Sequence, residues 1–174
     1  PVWDRWGARG LRSVVINLPA TYPAREMPGV LIAGFVAVDL ARAVWPPSLL
    51  PRLQQRGYRV DVDSTRAKED PDGLARDLRA LLDIRFDTAR ELFRTERWDF
   101  FLLTITGTDR LHHFFWHALE DPVDRFHPFF LEYYRALDAR LGELFEEAGN
   151  RHSICLMSDH GFTGIRHEVF LNRL

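Results

Sequence analysis

Sulfur is scarce in this chain: Cys155 is its one cysteine, and only two methionines accompany it in 174 residues. A single thiol cannot build a disulfide framework, so the small stapled folds are excluded. Charge of one sign is also lacking, with 23 Lys plus Arg against 25 Asp plus Glu and a net charge of -2. That balance provides no field to draw in DNA or RNA, and no nucleic-acid-binding surface is expected. No long hydrophobic run is present. The longest apolar stretch, Val30 to Val38, falls far short of the roughly 20 residues that a membrane helix needs. No membrane segment is therefore expected, and there is no low-complexity tract or repeat of fixed period. The chain begins at Pro1 without Met or a charged and apolar leader, and reads as an internal segment of a longer protein. The default compartment is the cytoplasm, and oligomeric state is not indicated. Aromatic residues are plentiful, at 13% within a hydrophobic share of 46%, which excludes intrinsic disorder.

Short apolar runs alternate with longer amphipathic segments. Ser13 to Leu18 reads as a buried strand ended by Pro19, and Val30 to Val38 as a strand or strand and loop. Tyr58 to Asp63 alternates as a short strand. Phe100 to Thr106 is apolar on both faces, as in the central strand of a covered sheet, and Ile154 to Met157 has the same character. A helix is expected after Asp70-Pro71, an N-cap followed by proline. Leu74, Leu78, Leu81, Leu82, Ala89 and Phe93 supply its apolar spacing. Arg90, Arg94 and Arg97 would lie in its last turns, where the helix dipole favours cations. A second helix is expected from Pro128 to Ala148. Its stripe is Phe130, Tyr134, Leu137, Leu141, Leu144 and Phe145, and Gly149 is its stop. Strands alternating with helices predict an α/β fold with a mainly parallel sheet, whose chemistry gathers at the carboxyl ends of the strands.

Two such ends carry reactive side chains. Asp109 and His113 follow the strand Phe100 to Thr106, four residues apart, and share a face if that segment is helical. A carboxylate oxygen and an imidazole nitrogen suit zinc, at distances of about 2.0–2.2 Å. His117 extends that face, while His112 points about 100° away. Asp159 and His160 follow Ile154 to Met157, and a turn at Gly161 could bring them onto one ion. Each pair also has a plainer reading: Asp109 as a helix N-cap, and Asp159-His160-Gly161 as a turn. Together, two acid–His pairs at the ends of two buried strands form a metal-cluster constellation. Two ions about 4 Å apart would clamp a phosphoryl group. His117, His127, His152 and His167 are expected at the surface or beside the ligands. Cys155 is expected to be buried in mid-strand, and Trp3, Trp6, Trp45, Trp98 and Trp116 to be packing residues.

Thr108–Trp116 (TDRLHHFFW) resembles the metal-binding TDRLQHFFW stretch of the type I phosphodiesterase/nucleotide pyrophosphatase family, within the alkaline phosphatase superfamily. Ser158–Phe162 (SDHGF) resembles that family's motif of the same letters. Asn17–Pro23, Gly29–Phe35 and Phe170–Leu174 resemble its N-x-P-x-TYP, GxxxxGF and FxLNRxL segments, in order along nearly the whole chain. The resemblance implies an alkaline-phosphatase-like three-layer α/β/α core with a mainly parallel sheet. Residues 1–174 would be a single domain, the central segment of a larger catalytic domain. The implied activity is metal-dependent hydrolysis of phosphodiester or pyrophosphate bonds in a small-molecule phosphate ester. Two divalent ions, zinc by the family's habit, would be bound by Asp109 with His113 and by Asp159 with His160. The family's Thr or Ser nucleophile, with the strand Asp before it and the distant His downstream, has no match here. The nucleophile is therefore expected outside this segment, and the segment alone is expected to be inactive. Thr108 and Thr163 lie near the pairs but would break the family order. His112 stands where the family has Gln, a change expected to alter hydrogen bonding around His113. Alternatives within the resemblance are a phosphonate or sulfate-ester hydrolase, a phosphotransferase, or a non-catalytic member that binds a phosphorylated ligand.

Overall fold

Alternation at the second residue sorts the first strand onto two faces. The computed structural model describes residues 1–165, 167 and 169–170, which fall into two units, Pro1–Arg110 and Leu111–Leu174. In the first unit, strands β1 (Ser13–Leu18), β2 (Gly29–Ala33), β3 (Val44–Trp45) and β4 (Phe100–Leu103) form one sheet in the order β3-β2-β1-β4. β1 pairs in parallel with β2 and β4, and only β3 runs antiparallel. Val14, Ile16, Val30 and Ile32 point to one face, where Leu53 of α2 (Leu50–Gln55) and Ala89 and Leu92 of α3 (Pro71–Thr95) cover them. Val15 and Leu31 point to the other, against Met27 and Trp3 of α1 (Val2–Gly7). Successive side chains on a strand face opposite ways, so one apolar run feeds two cores. The result is the expected α/β architecture of alkaline-phosphatase type.

The sheet's carboxyl edge is tightly built. Gly34, just past β2, lies so close to β1 that a Cβ there would stand 2.3 Å from the Asn17 carbonyl oxygen. β2 therefore ends at Ala33, and residues 34–38 of the expected longer strand leave the sheet, exposing Phe35, Val36 and Val38. β4 is half-buried and closes the sheet among the described residues; the strand expected at its centre is an edge strand.

α3 follows its sequence signals closely. The Asp70 side chain accepts from the Gly73 N–H at 2.8 Å, Pro71 opens the helix, and Leu74, Leu78, Leu81, Leu82, Phe86, Ala89 and Leu92 are buried. The helix stops at Thr95, so Arg97 lies beyond it, where its carbonyl accepts from Arg12 Nε at 3.2 Å. The alternating Tyr58 to Asp63 is not a strand. Buried Arg85 of α3 reaches it and donates to the carbonyls of Val60 and Arg59 at 2.9 and 3.3 Å. A guanidinium thus satisfies carbonyls that a ladder would otherwise take.

In the second unit, α5 (His127–Ala148) has Pro128 in its first turn and stops at Gly149, whose φ is 53°. It buries Phe130, Tyr133, Leu137, Leu144 and Ala148; Tyr133 takes the inward place expected of Tyr134, which is exposed. α4 (Gly107–Glu120) leads into this unit, with a break in helical geometry at Phe115. The Phe115 ring packs edge-on against Phe126 and Phe129 at 4.9 and 5.5 Å. Ile154 to Met157 forms no strand, and all four side chains, Cys155 included, are exposed. An apolar run becomes a strand only when neighbours take its N–H and C=O groups, and no ladder pairing reaches this one among the described residues. Residues 171–174 of the Phe170–Leu174 segment lie outside the described residues.

Candidate functional site

The first acid–His pair is built by the passage from β4 into α4. The Thr104 N–H still donates to the Ile16 carbonyl at 2.9 Å, and Thr106 Oγ1 accepts from Asn17 Nδ2 at 3.3 Å. Asn17 is fully buried with φ of 63°, so its amide is committed to this edge. The TYP segment is stitched to the same edge: Thr21 Oγ1 donates to the Leu18 carbonyl at 2.6 Å and accepts from the Gly34 N–H at 3.3 Å. Asp109 stands in the first turn of α4, where the positive end of the helix dipole favours a carboxylate. It is 31% exposed, and Arg110 Nη1 donates to its Oδ2 at 3.3 Å. His113 follows one turn later on α4, exposed, with its ring edge-on to Phe162 at 5.0 Å. His117 turns to Asp124 Oδ2, 3.5 Å from its Nε2.

The second pair lies on an open loop, with Asp159 91% and His160 56% exposed. Asp159 Oδ2 is 3.8 Å from His160 Nε2. His160 Nδ1 lies 2.8 Å from the Gly161 carbonyl oxygen, a contact only an Nδ1–H can make. In the neutral ring that leaves the lone pair on Nε2, the atom that faces the carboxylate. The Ser158 hydroxyl donates to the His160 carbonyl at 2.6 Å and tightens the turn. Phe162 is half-buried, its ring 5.1 Å from His112 and 5.3 Å from Trp116. The motif's Phe therefore ties this loop to the helix that carries His113.

His112 faces α5. It stacks within 13° on Phe130 and 23° on Tyr134, and its Nε2 shares a 2.7 Å hydrogen bond with the Tyr134 hydroxyl. Partial burial pushes the Tyr134 phenol above its ordinary value. This bond is directed across to α5. Tyr22 packs under Arg42, whose guanidinium carbon is 5.5 Å from the ring centre.

The donor set of two carboxylates and two imidazoles suits a divalent cation. Two donors at 2.0–2.2 Å from a tetrahedral ion stand roughly 3.4 Å apart, close to the 3.8 Å between Asp159 Oδ2 and His160 Nε2. Among the described residues, no group of three or more His, Cys, Asp or Glu side chains is gathered for an ion. Sequence reasoning passed over Arg110 and its partner Asp61, whose carboxylate takes the guanidinium from 49 residues away. The signal was an Arg directly after a ligand-type Asp, with an unmatched acid in the alternating YRVDVD.

The mainly parallel α/β core is that of an alkaline-phosphatase-like fold. The family model described as Type I phosphodiesterase / nucleotide pyrophosphatase matches residues 1–174, and the chain belongs to that family of phosphodiesterase/pyrophosphatase-type hydrolases. No curated protein and no solved structure matches it significantly.

Proposed function

We propose that this chain contributes the metal-holding part of a hydrolytic centre for phosphodiester or pyrophosphate bonds in small-molecule phosphate esters. The observation that carries this reading is the Asp159–His160 pair. Its donor atoms stand 3.8 Å apart, with the imidazole tautomer set by the Gly161 carbonyl. A metal-ligating His whose other nitrogen donates to a carbonyl is the usual second-shell arrangement. Asp159 and His160 would hold one divalent ion, and Asp109 and His113 the other, with zinc suited to both donor types. When bound, the ions supply positive charge to offset that which develops on the phosphoryl oxygens. The four residues orient the ions and move no proton. Gly161 keeps the His160 proton on Nδ1.

The nucleophile in this reading is a Thr or Ser that is not among these 174 residues. Two donors per ion are fewer than a catalytic zinc site uses. We therefore take residues 1–174 as the central segment of a larger catalytic domain. The gathering of no third donor among the described residues favours a second reading, a member that binds a phosphorylated ligand without turnover.

The test is zinc content per chain after purification without chelator, for the parent, Asp109→Ala and Asp159→Ala. Bound zinc that falls in both variants supports the proposed ligands. A parent that carries zinc unaffected by either substitution overturns them.

A further inference from the structure

Arg110 is locked on one side before it reaches Asp109. Its side chain is 16% exposed, and that of Asp61 is 17% exposed. Arg110 Nε donates to Asp61 Oδ1 and Oδ2 at 3.2 and 3.0 Å, and Nη2 donates to Oδ2 at 2.5 Å. A fork on a carboxylate fixes the plane of the guanidinium as well as its place. The Phe35 ring lies against the same group, 4.9 Å from Cζ. The third nitrogen, Nη1, donates to Asp109 Oδ2 at 3.3 Å.

The loop that brings Asp61 here is itself held. Arg85 donates to the carbonyls of Arg59 and Val60, and Asp61 Oδ1 accepts from the Val62 N–H at 2.8 Å. Asp61, Arg110, Asp109, Phe35 and Arg85 all belong to the first unit. Charge follows the same plan. Asp61 offsets the charge of the guanidinium. Without Asp61, Arg110 would neutralise Asp109 and repel an incoming ion.

We propose that Arg110, clamped by Asp61, is the positioning residue for Asp109: it holds one carboxylate oxygen so that the group is presented to a divalent cation in one orientation. This inference rests on the reading of Asp109 as a metal ligand. It assigns two side chains, Asp61 and Arg110, to tuning the first half-site, and it explains why a cation stands beside a ligand for a cation.

The experiment is titration of the whole chain with zinc against a chromophoric chelator, and with cobalt(II) followed by its visible bands. Arg110→Lys keeps the charge and loses the fork, and is expected to weaken zinc binding roughly tenfold and to shift the cobalt bands. Asp61→Asn, nearly isosteric, is expected to weaken it by at least as much, because it frees the guanidinium to neutralise Asp109. In an Asp109→Ala background neither substitution should change the remaining affinity, a result that a merely structural role would not give. Parental affinity within about twofold in both variants, together with a loss in Asp109→Ala, overturns the positioning role and leaves Asp109 a ligand. A parent that binds neither ion, or an Asp109→Ala variant that binds as the parent does, overturns the reading of Asp109 and this inference with it.

Discussion

The two acid–His pairs look alike in sequence and stand on very different ground. Asp109 follows a strand whose partners are fully buried, sits at a helix start, and is held by an arginine that another acid clamps. Asp159 and His160 follow an apolar run that forms no strand, and lie on an exposed turn. The comparison teaches that a motif's letters specify donor chemistry, whereas its rigidity comes from the residues around it. The first pair is set by long-range contacts. The second is set by contacts within a few residues, apart from the ring of Phe162 on His112, His113 and Trp116.

The largest break in this comparison should come from the sheet. Ile16 is fully buried in β1, so Ile16→Ala should cost about 2–5 kcal/mol in urea unfolding. Leu156→Ala, in the exposed run before the second pair, should stay within about 0.5 kcal/mol. An equal cost for the two would mean that residues 154–157 are packed as a strand after all. Next in size is Arg85. Arg85→Met strips the guanidinium from two carbonyls and should cost about 1–3 kcal/mol. It should also loosen the loop that carries Asp61, visible as faster amide exchange around Val62.

A smaller effect is pH-dependent. Burial raises the Tyr58 phenol above its ordinary value, against the opposing charge of Arg85. The unfolded chain then ionises first, so this contribution is whole below about pH 10 and fades as pH climbs from there towards the folded-state value. Tyr58→Phe should flatten the alkaline fall in unfolding free energy measured between those limits; an unchanged slope would remove Tyr58 from it. A modest change in global stability is expected of Phe162→Ala. Removing its ring contacts should cost about 0.5–1.5 kcal/mol. The sharper readout is limited proteolysis, where cleavage within residues 158–163 should quicken while the sheet stays intact. No change in cleavage would show that Phe162 does not tether the turn.

Legibility followed the range of the forces. α3 could be read from Asp70, Pro71 and the apolar spacing through Leu92, because caps and helical periodicity are local. β1 and the first part of β2 could be read because branched residues buried on both faces leave few alternatives. Tyr58 to Asp63 could not, since its alternation is that of a strand and only the side chain of Arg85, 25 residues ahead of Val60, takes the carbonyl there. Ile154 to Met157 shows the same limit, because pairing belongs to the neighbour and not to the run. Cys155 was read as buried for the same reason and is exposed. At the candidate site the four candidate donors were legible from their motifs, and the clamp on Arg110 was not.

By itself the sequence determined composition-level and local facts: a single thiol, nearly balanced charge, the N-cap of α3 and the glycine stop of α5, a βα rhythm, and a set of candidate donors. These follow from side-chain chemistry and from contacts within a few residues. The tertiary structure alone decided that β4 is an edge strand among the described residues, that Tyr133 and not Tyr134 is buried, that His112 faces α5, and that Asp61 meets Arg110. Each of those outcomes depends on which distant group satisfies a buried polar atom or fills a gap in packing, and the sequence fixes that only through the whole fold.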